Sequence, residues 1–276
     1  MTELRFRNGV VLREPLSLAL LFLEHDYSYR TYDSHAIRPD DEWRREEAQI
    51  ANRAGARMSS REIDALMGRS ELIEDALRRV PGDQSLAAPA QEIPWDALRD
   101  LYAAFGGIPG IGLAKATKAL HKKRPHLIPM LDSFVATYLR SVDEIPVGDF
   151  ADEALGLTRS YKVDLDANTD VLVSVQHGLN EQGYVLGLCR ILDLFTWTFA
   201  GENRPAWAAE AEARLVSRSD EAVDLAAELG IELDESGIGL QILRAAIREV
   251  GHAEARTELQ RWLMGGDGIE PPTSRV

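Results

Sequence analysis

Residues 107–132 hold the groups best suited to chemistry. The string Gly107-Ile108-Pro109-Gly110-Ile111-Gly112 has the form apolar-Pro-Gly-apolar-Gly and leads directly into a helical stretch from Leu113 to about Lys123. Gly110 and Gly112 carry no Cβ, so the main chain can turn tightly there and approach a ligand closely. The first amides of the following helix have no intrahelical acceptor and stand at the positive end of its dipole, which suits a phosphate oxygen. Lys115 and Lys118, on the first turns of that helix, can add charge to the same phosphate, and Lys122, Lys123 and Arg124, with His126, extend the positive stretch at its far end. Asp132 follows Pro125 and Pro129, at the point where another helix begins.

Helix, glycine turn, helix in this form is a helix-hairpin-helix pattern. Ile108 to Gly112, an Ala-rich helix, a Pro-containing loop and then Asp132-Ser133 resemble the helix-hairpin-helix DNA glycosylase superfamily, with the usual separation of 20 positions from Gly112 to Asp132. The string Lys-Ala-Leu-His-Lys-Lys-Arg-Pro, Lys118 to Pro125, is similar to an uncharacterised bacterial branch of it, and the resemblance covers roughly residues 95–142. It implies DNA as partner, DNA repair as setting, phosphate contacts at the hairpin glycines and lysines, and Asp132 as the catalytic carboxylate. As a base leaves, the sugar gains oxocarbenium character that a fixed anion stabilises, and the same anion can deprotonate the attacking water. Two departures refine this. The nucleophilic lysine of bifunctional members, two positions after the last hairpin glycine, is replaced by Ala114, and Lys115 is rotated about 100° further along the helix. A single cysteine, Cys189, excludes the four-cysteine cluster that many members carry. A monofunctional hydrolase without cofactor or metal is therefore expected.

Further along, Arg190 and Asp193 are spaced i,i+3 on an apolar helix with Phe195, Trp197 and Phe199, where they can line a cleft. Tyr29, Tyr32 and Trp197 are candidate stacking surfaces for an extruded base. Every one of these features has a structural reading beside the functional one. Asp132 is a preferred N-cap residue. Lys122 to Arg124 complement a helix C-terminus. The glycines can make a plain helix–helix turn, Arg190 and Asp193 an ion pair, and the aromatic residues around Trp197 a core. His25, His35 and His177 show no paired metal spacing, and Cys189 sits in an apolar run as a buried, inert thiol.

The elements that must position these groups are almost all helical. Asn8-Gly9 between Leu4, Phe6 and Val10, Leu12 predicts an N-terminal β-hairpin with a two-residue turn. Pro15 opens an apolar helix to about Leu23, Asp40 or Asp41 caps a second through about Ala54, Ser59 with Glu62 forms a capping box, and Ser70 caps a helix ending before Pro81. Residues 82–93 read as a loop, and Pro94 starts a helix with the face Leu98, Leu101, Tyr102, Phe105. Later helices are expected at 150–158, 169–179, 185–199, 206–217, 220–229, 238–250 and 253–263. The fold class is thus mainly α, a multi-helix protein with a helix-hairpin-helix and a short N-terminal β-hairpin. The expected organisation is an N-terminal region 1–93, the hairpin and following helix 94–145, a C-terminal helical region 146–264 and a disordered tail 265–276.

Charge locates a partner more than it names one. With 31 basic and 45 acidic residues in 276, the formal charge is −14. It divides into +5 between Asp100 and Asp132, a stretch without a carboxylate, and −19 elsewhere. An acidic body would repel DNA everywhere except at that stretch. No apolar run reaches the ~20 residues needed to span a bilayer, and the lone cysteine points to a reducing, cytoplasmic setting. Two alternatives to the enzyme stand: a non-catalytic DNA-binding module, and a protein-interaction domain whose basic stretch docks an acidic partner.

Overall fold

The computed structural model describes residues 3–25, 29–35, 40–146 and 148–200, together with Leu225 and Arg256. The chain falls into two compact units, 1–208 and 209–276, and apart from Leu225 and Arg256 the described residues belong to the first. The helices expected at 206–217, 220–229, 238–250 and 253–263 and the tail 265–276 lie outside the described residues.

The first unit is mainly helical. Strands β1 (Leu4–Arg5) and β2 (Val11–Leu12) pair antiparallel, with Leu4 opposite Leu12. Only Gly9 in this turn has positive φ, +88°, and its N–H donates to Phe6 O while the Phe6 N–H donates to Val10 O. The connection is therefore a three-residue loop, Arg7-Asn8-Gly9, rather than the expected two-residue turn. Asn8 stays out of the left-handed region because its side chain is engaged, accepting from Val10 N–H and donating to Ala200 O at 2.8 Å.

The helices are α1 (Pro15–His25), α2 (Arg45–Arg53), α3 (Ser60–Met67), α4 (Ser70–Arg78), α5 (Trp95–Ala103), α6 (Leu113–Lys123), α7 (Ser133–Val142), α8 (Phe150–Ala167), α9 (Thr169–Glu181) and α10 (Leu188–Phe195). Short π-helical segments occupy Tyr29–Asp33 and Thr196–Ala200, and a 3-10 turn occupies Ala90–Glu92 within the expected loop. The α3 capping box forms as the sequence suggests: Ser59 N–H donates to Glu62 Oε2 and Glu62 N–H to Ser59 Oγ. The cap of α2 is Arg44 rather than Asp40 or Asp41, since those carboxylates are drawn to Lys123 and Arg124. Helix α4 begins at Ser70 itself. Helix α8 runs nine residues beyond the expected end, and α10 is shorter than expected because its last turn widens into the π segment.

Helix α5 buries Leu98, Leu101 and Tyr102 against α8, where the Tyr102 and Thr158 hydroxyls pair at 2.8 Å. Helix α6 packs chiefly on α2, and α10 on α9 and the π segment that follows it. Among the described residues no helix is long and apolar enough to cross a membrane.

Candidate functional site

Asp132 stands at the end of a loop held from two sides. The Met130 N–H donates to Asp193 Oδ2 of α10 at 3.0 Å, and the Leu131 N–H donates to Thr117 Oγ1 of α6, also at 3.0 Å. His121 hydrogen-bonds the Ile128 carbonyl at 2.6 Å through Nδ1, and burial pulls that imidazole down to about 4, so it is neutral at pH 7 and adds nothing to the basic stretch. Asp132 then caps α7: Oδ1 accepts the N–H groups of Phe134 and Val135, both at 3.1 Å. Its second oxygen, Oδ2, lies 3.8 Å from Lys118 Nζ, with both side chains about one-seventh exposed (15% and 13%). One carboxylate thus serves as cap and still presents an oxygen beside an amine.

Both groups line a cleft of about 540 Å³ between α6, α7 and α10, within the roughly 300–1,000 Å³ usual for small-ligand pockets. From α10 and the π segment come Arg190, Asp193, Leu194 and Trp197, an i, i+3, i+4, i+7 face turned to one cavity. Trp197 meets Phe22 and Phe134 edge-on, each at 6.0 Å between ring centroids, so the cavity has an aromatic wall. Arg190 binds Asp33 with two hydrogen bonds, 2.8 and 2.9 Å, and the expected partnership with Asp193 is replaced by this one.

Asp193 is the most unusual group here. It is 2% exposed, its Oδ2 is held by the Met130 amide, and its Oδ1 has no hydrogen-bond partner among the described residues. Burial pushes its carboxyl up to about 8 against the opposing pull of Arg190, with the nearby Asp132 adding to the rise. From its ordinary 3.8 to about 8 the folded chain keeps a proton that the unfolded chain has released, so this group's stabilising effect is full below 3.8 and is lost as pH rises through that window. Asp193→Asn is therefore expected to melt higher than wild type at pH 7, with the difference vanishing as the pH approaches the ordinary carboxylate range. Thermal melts at a series of pH values read this directly, and a variant less stable at every pH would refute it.

The basic stretch is only partly a surface. Lys123 is fully buried, paired with Glu47 at 2.5 Å and Asp40 at 2.9 Å. Arg124 is also fully buried, donating to the Leu77 and Val80 carbonyls and pairing with Asp41. These two cannot contact a phosphate: the end of α6 turns inward, and the acidic segment 40–47 closes over it. Lys122 folds over the Tyr32 ring at 4.4 Å and donates to the Asp33 and His35 carbonyls, and burial pulls its ammonium down to about 8. Lys115 pairs with Glu62 at 2.6 Å, a bond that lowers Glu62 to about 2. Ala114, one residue earlier, is the side chain that lines the cleft.

The glycines divide likewise. Gly110 has φ +83°, a conformation that favours glycine, and a Cβ there would lie 2.1 Å from Glu62 Oε1, so that carboxylate would have to move. Gly112 is in ordinary extended conformation (φ −98°, ψ −179°) as the N-cap of α6, with open space where a Cβ would stand. Its absence of side chain leaves approach to the helix end free without being needed for the turn. Tyr32 is buried, donating from its hydroxyl to the Lys118 carbonyl at 2.7 Å, and supports the cleft from beneath instead of lining it. The side chain of Tyr29 lies outside the described residues. Cys189 is buried, its S–H directed to the His126 carbonyl, and burial pushes the thiol up.

Two basic residues at the cleft were not singled out from the sequence. Arg53 ends α2 and Arg57 lies in the loop that joins it to α3, both exposed and both lining the cavity. Arg53 donates to the Thr31 carbonyl and to His35 Nδ1. Arg57 has no hydrogen-bond or ion-pair partner among the described residues and is the only non-glycine residue there with positive φ, +54°. A left-handed arginine costs about 1–2 kcal/mol, and no sequence pattern announces one.

The model of a family of unknown function, DUF6308, matches residues 54–200, just over half of the chain. The chain belongs to this family. DUF6308 thus begins in the loop that carries Arg57 and ends with the π segment that carries Trp197, so every cleft-lining residue except Phe22 and Arg53 lies within the match. No curated protein and no solved structure matches the chain.

Proposed function

We propose that this DUF6308 protein binds DNA across the mouth of the cleft and hydrolyses the N-glycosidic bond of a damaged or modified nucleotide turned into it. The reading rests on one observation: a carboxylate whose one oxygen is fixed by two backbone amides has its second oxygen 3.8 Å from Lys118 Nζ and lines a cavity with an aromatic wall and cationic lining. Trp197 and Phe134 would stack the extruded base. Asp132 would stabilise the oxocarbenium-like sugar and take a proton from the attacking water. Arg57 and Arg53 at the rim, with the first amides of α6, which no side chain caps, would hold flanking phosphates. The resemblance to helix-hairpin-helix glycosylases, with Ala114 where the bifunctional enzymes have lysine, supports hydrolysis without strand cleavage.

Excision assays on duplexes carrying a panel of altered bases test the reading, with abasic sites revealed by alkali. Product from at least one base, with binding that weakens as salt rises, is the expected result. Absence of binding to any duplex or single strand at low salt overturns the DNA reading altogether; binding without product on any base leaves a non-catalytic module. The rim makes a more specific demand. Arg57→Ala is expected to reduce the slope of log K against log salt by about 1, whereas Lys122→Ala, whose ammonium is turned to Tyr32 and backbone carbonyls, leaves it unchanged.

A further inference from the structure

The chain has five lysines, and four of them have engaged ammonium groups: Lys115, Lys122, Lys123 and Lys162 each donate to carboxylates or backbone carbonyls. Lys118 differs. Among the described residues its ammonium makes no hydrogen bond, and its one ion-pair contact, Asp132 Oδ2, is 3.8 Å away. The side chain is 13% exposed and lines the cleft, as does Ala114 one turn earlier on α6. Its main chain is anchored, since the Lys118 carbonyl accepts the Tyr32 hydroxyl at 2.7 Å. An ammonium largely withdrawn from water with its three donors unused is unfavourable unless an acceptor arrives with a ligand. Because it can only donate, that ligand must bring oxygen or negative charge.

Resting on the glycosylase reading, we propose that Lys118 holds the carbonyl oxygen next to the glycosidic nitrogen of the departing base, and that the substrate is a uracil-type pyrimidine. Position and charge both point there. Asp132 is the group that would face C1′, and an ammonium 3.8 Å from its oxygen is placed for atoms close to C1′. The 2-carbonyl oxygen of a uracil-type base is such an atom, whereas hypoxanthine has no oxygen next to its glycosidic nitrogen. A phosphate carries its charge before reaction and would lie against the carboxylate; Arg53 and Arg57, exposed at the rim, are better placed for phosphates. Breaking the bond turns a neutral nucleoside into a cationic sugar and an anionic base. A carboxylate paired with an ammonium is complementary to that separated charge and not to the neutral ground state, which is what lowers a barrier. A base alkylated on its ring is already cationic, and the same ammonium repels it.

In the step itself the C1′–N bond breaks and its electron pair goes to the base, where it spreads from the nitrogen to the adjacent oxygen. Lys118 donates a hydrogen bond to that oxygen and keeps its protons. Water bonds to C1′ and gives one proton to Asp132. The immediate products are the abasic sugar and the base anion. The anion then takes a proton from solvent, and Asp132 returns its proton to solvent.

Single-turnover excision by the full chain tests the assignment, using duplexes that carry uracil, 5-fluorouracil, hypoxanthine or 7-methylguanine. The two uracils are expected to be released faster than the two purines. Lys118→Met, which keeps an unbranched stem without the charge, is expected to lose about 10²- to 10³-fold of the uracil rate. It should lose less of the 5-fluorouracil rate, because fluorine already stabilises that anion. Binding to a duplex bearing an abasic-site analogue should be unchanged in the variant, which shows that it is folded. Equal or faster release of the purines, or an unaffected uracil rate in Lys118→Met, overturns the assignment and leaves the glycosylase reading standing. An equal loss on uracil and 5-fluorouracil also overturns it, in favour of a lysine that only positions Asp132. Loss of analogue binding overturns it in favour of a phosphate contact or a structural role. Release of no base at all overturns both.

Discussion

Asp132→Asn is expected to lower abasic-site formation by about 10²- to 10⁴-fold while leaving fold and DNA affinity nearly intact. The substitution separates the proposed catalytic role of this residue from its capping role. Asparagine is as good an N-cap as aspartate, so its side-chain oxygen can keep accepting the Phe134 and Val135 amides. What it lacks is the negative charge at the cleft and the capacity to take a proton from water. A cap-only role predicts the opposite pattern: no effect for Asn, and a loss of about 1 kcal/mol of stability for Ala. Measuring excision and melting temperature for both variants distinguishes these cleanly. An Asp132→Asn protein that excises at the wild-type rate would end the catalytic reading.

The second large effect concerns stability. Lys123→Ala is expected to destabilise the protein by about 3–5 kcal/mol, because Glu47, itself 1% exposed, would be left as a buried charge deprived of its closest partner. Asp40 would lose one of its two cations in the same change. At about 2–4 °C per kcal/mol for a unit of this size, a fall in melting temperature of about 10 °C should be seen by calorimetry. Lys123→Met with Glu47→Gln should recover much of the loss, since the penalty comes from the orphaned charge more than from the missing attraction. A Lys123→Ala protein with unchanged stability and weakened DNA binding would show that this lysine belongs to the surface after all.

That outcome marks where the sequence can be read and where it misleads. The helices were legible from local signals: the apolar face of α5, the Ser59–Glu62 box, Pro15 at the start of α1 and the glycine turn before α6. Asp132 was legible as both a cap and a cleft group because its position follows from the helix it opens. Exposure of the basic stretch was not legible. Lys122, Lys123 and Arg124 are adjacent, so they point to different sides of a helix end, and only the acidic segment 40–47 determines that two of them are enclosed. The length of α8 was hidden for a related reason. Ser160, Lys162 and Asp164 look like surface residues, yet all three are buried, Asp164 by Arg7 and the Tyr138 hydroxyl, Lys162 by the Leu86 and Ala88 carbonyls. Arg53 and Arg57 went unnoticed because what places them in the cleft is a loop conformation, and a left-handed arginine leaves no periodic trace.

The N-terminal hairpin has a consequence for how the chain comes to be folded. Its residues meet the last parts of the unit: Arg5 N–H donates to Asn168, Arg7 binds Asp164, and Asn8 reaches the Ala200 carbonyl across 192 positions. Their partners lie 157 to 192 positions further along the chain, so these residues are the last of the unit to complete their contacts. The hairpin must wait until the π segment beyond α10 has been synthesised, and the helices between can assemble on short-range contacts before it docks. Closing so long a loop is slow relative to helix formation. The segment that carries Trp197 is therefore clasped last, so its wall of the cleft is finished only when the hairpin reaches the Ala200 carbonyl.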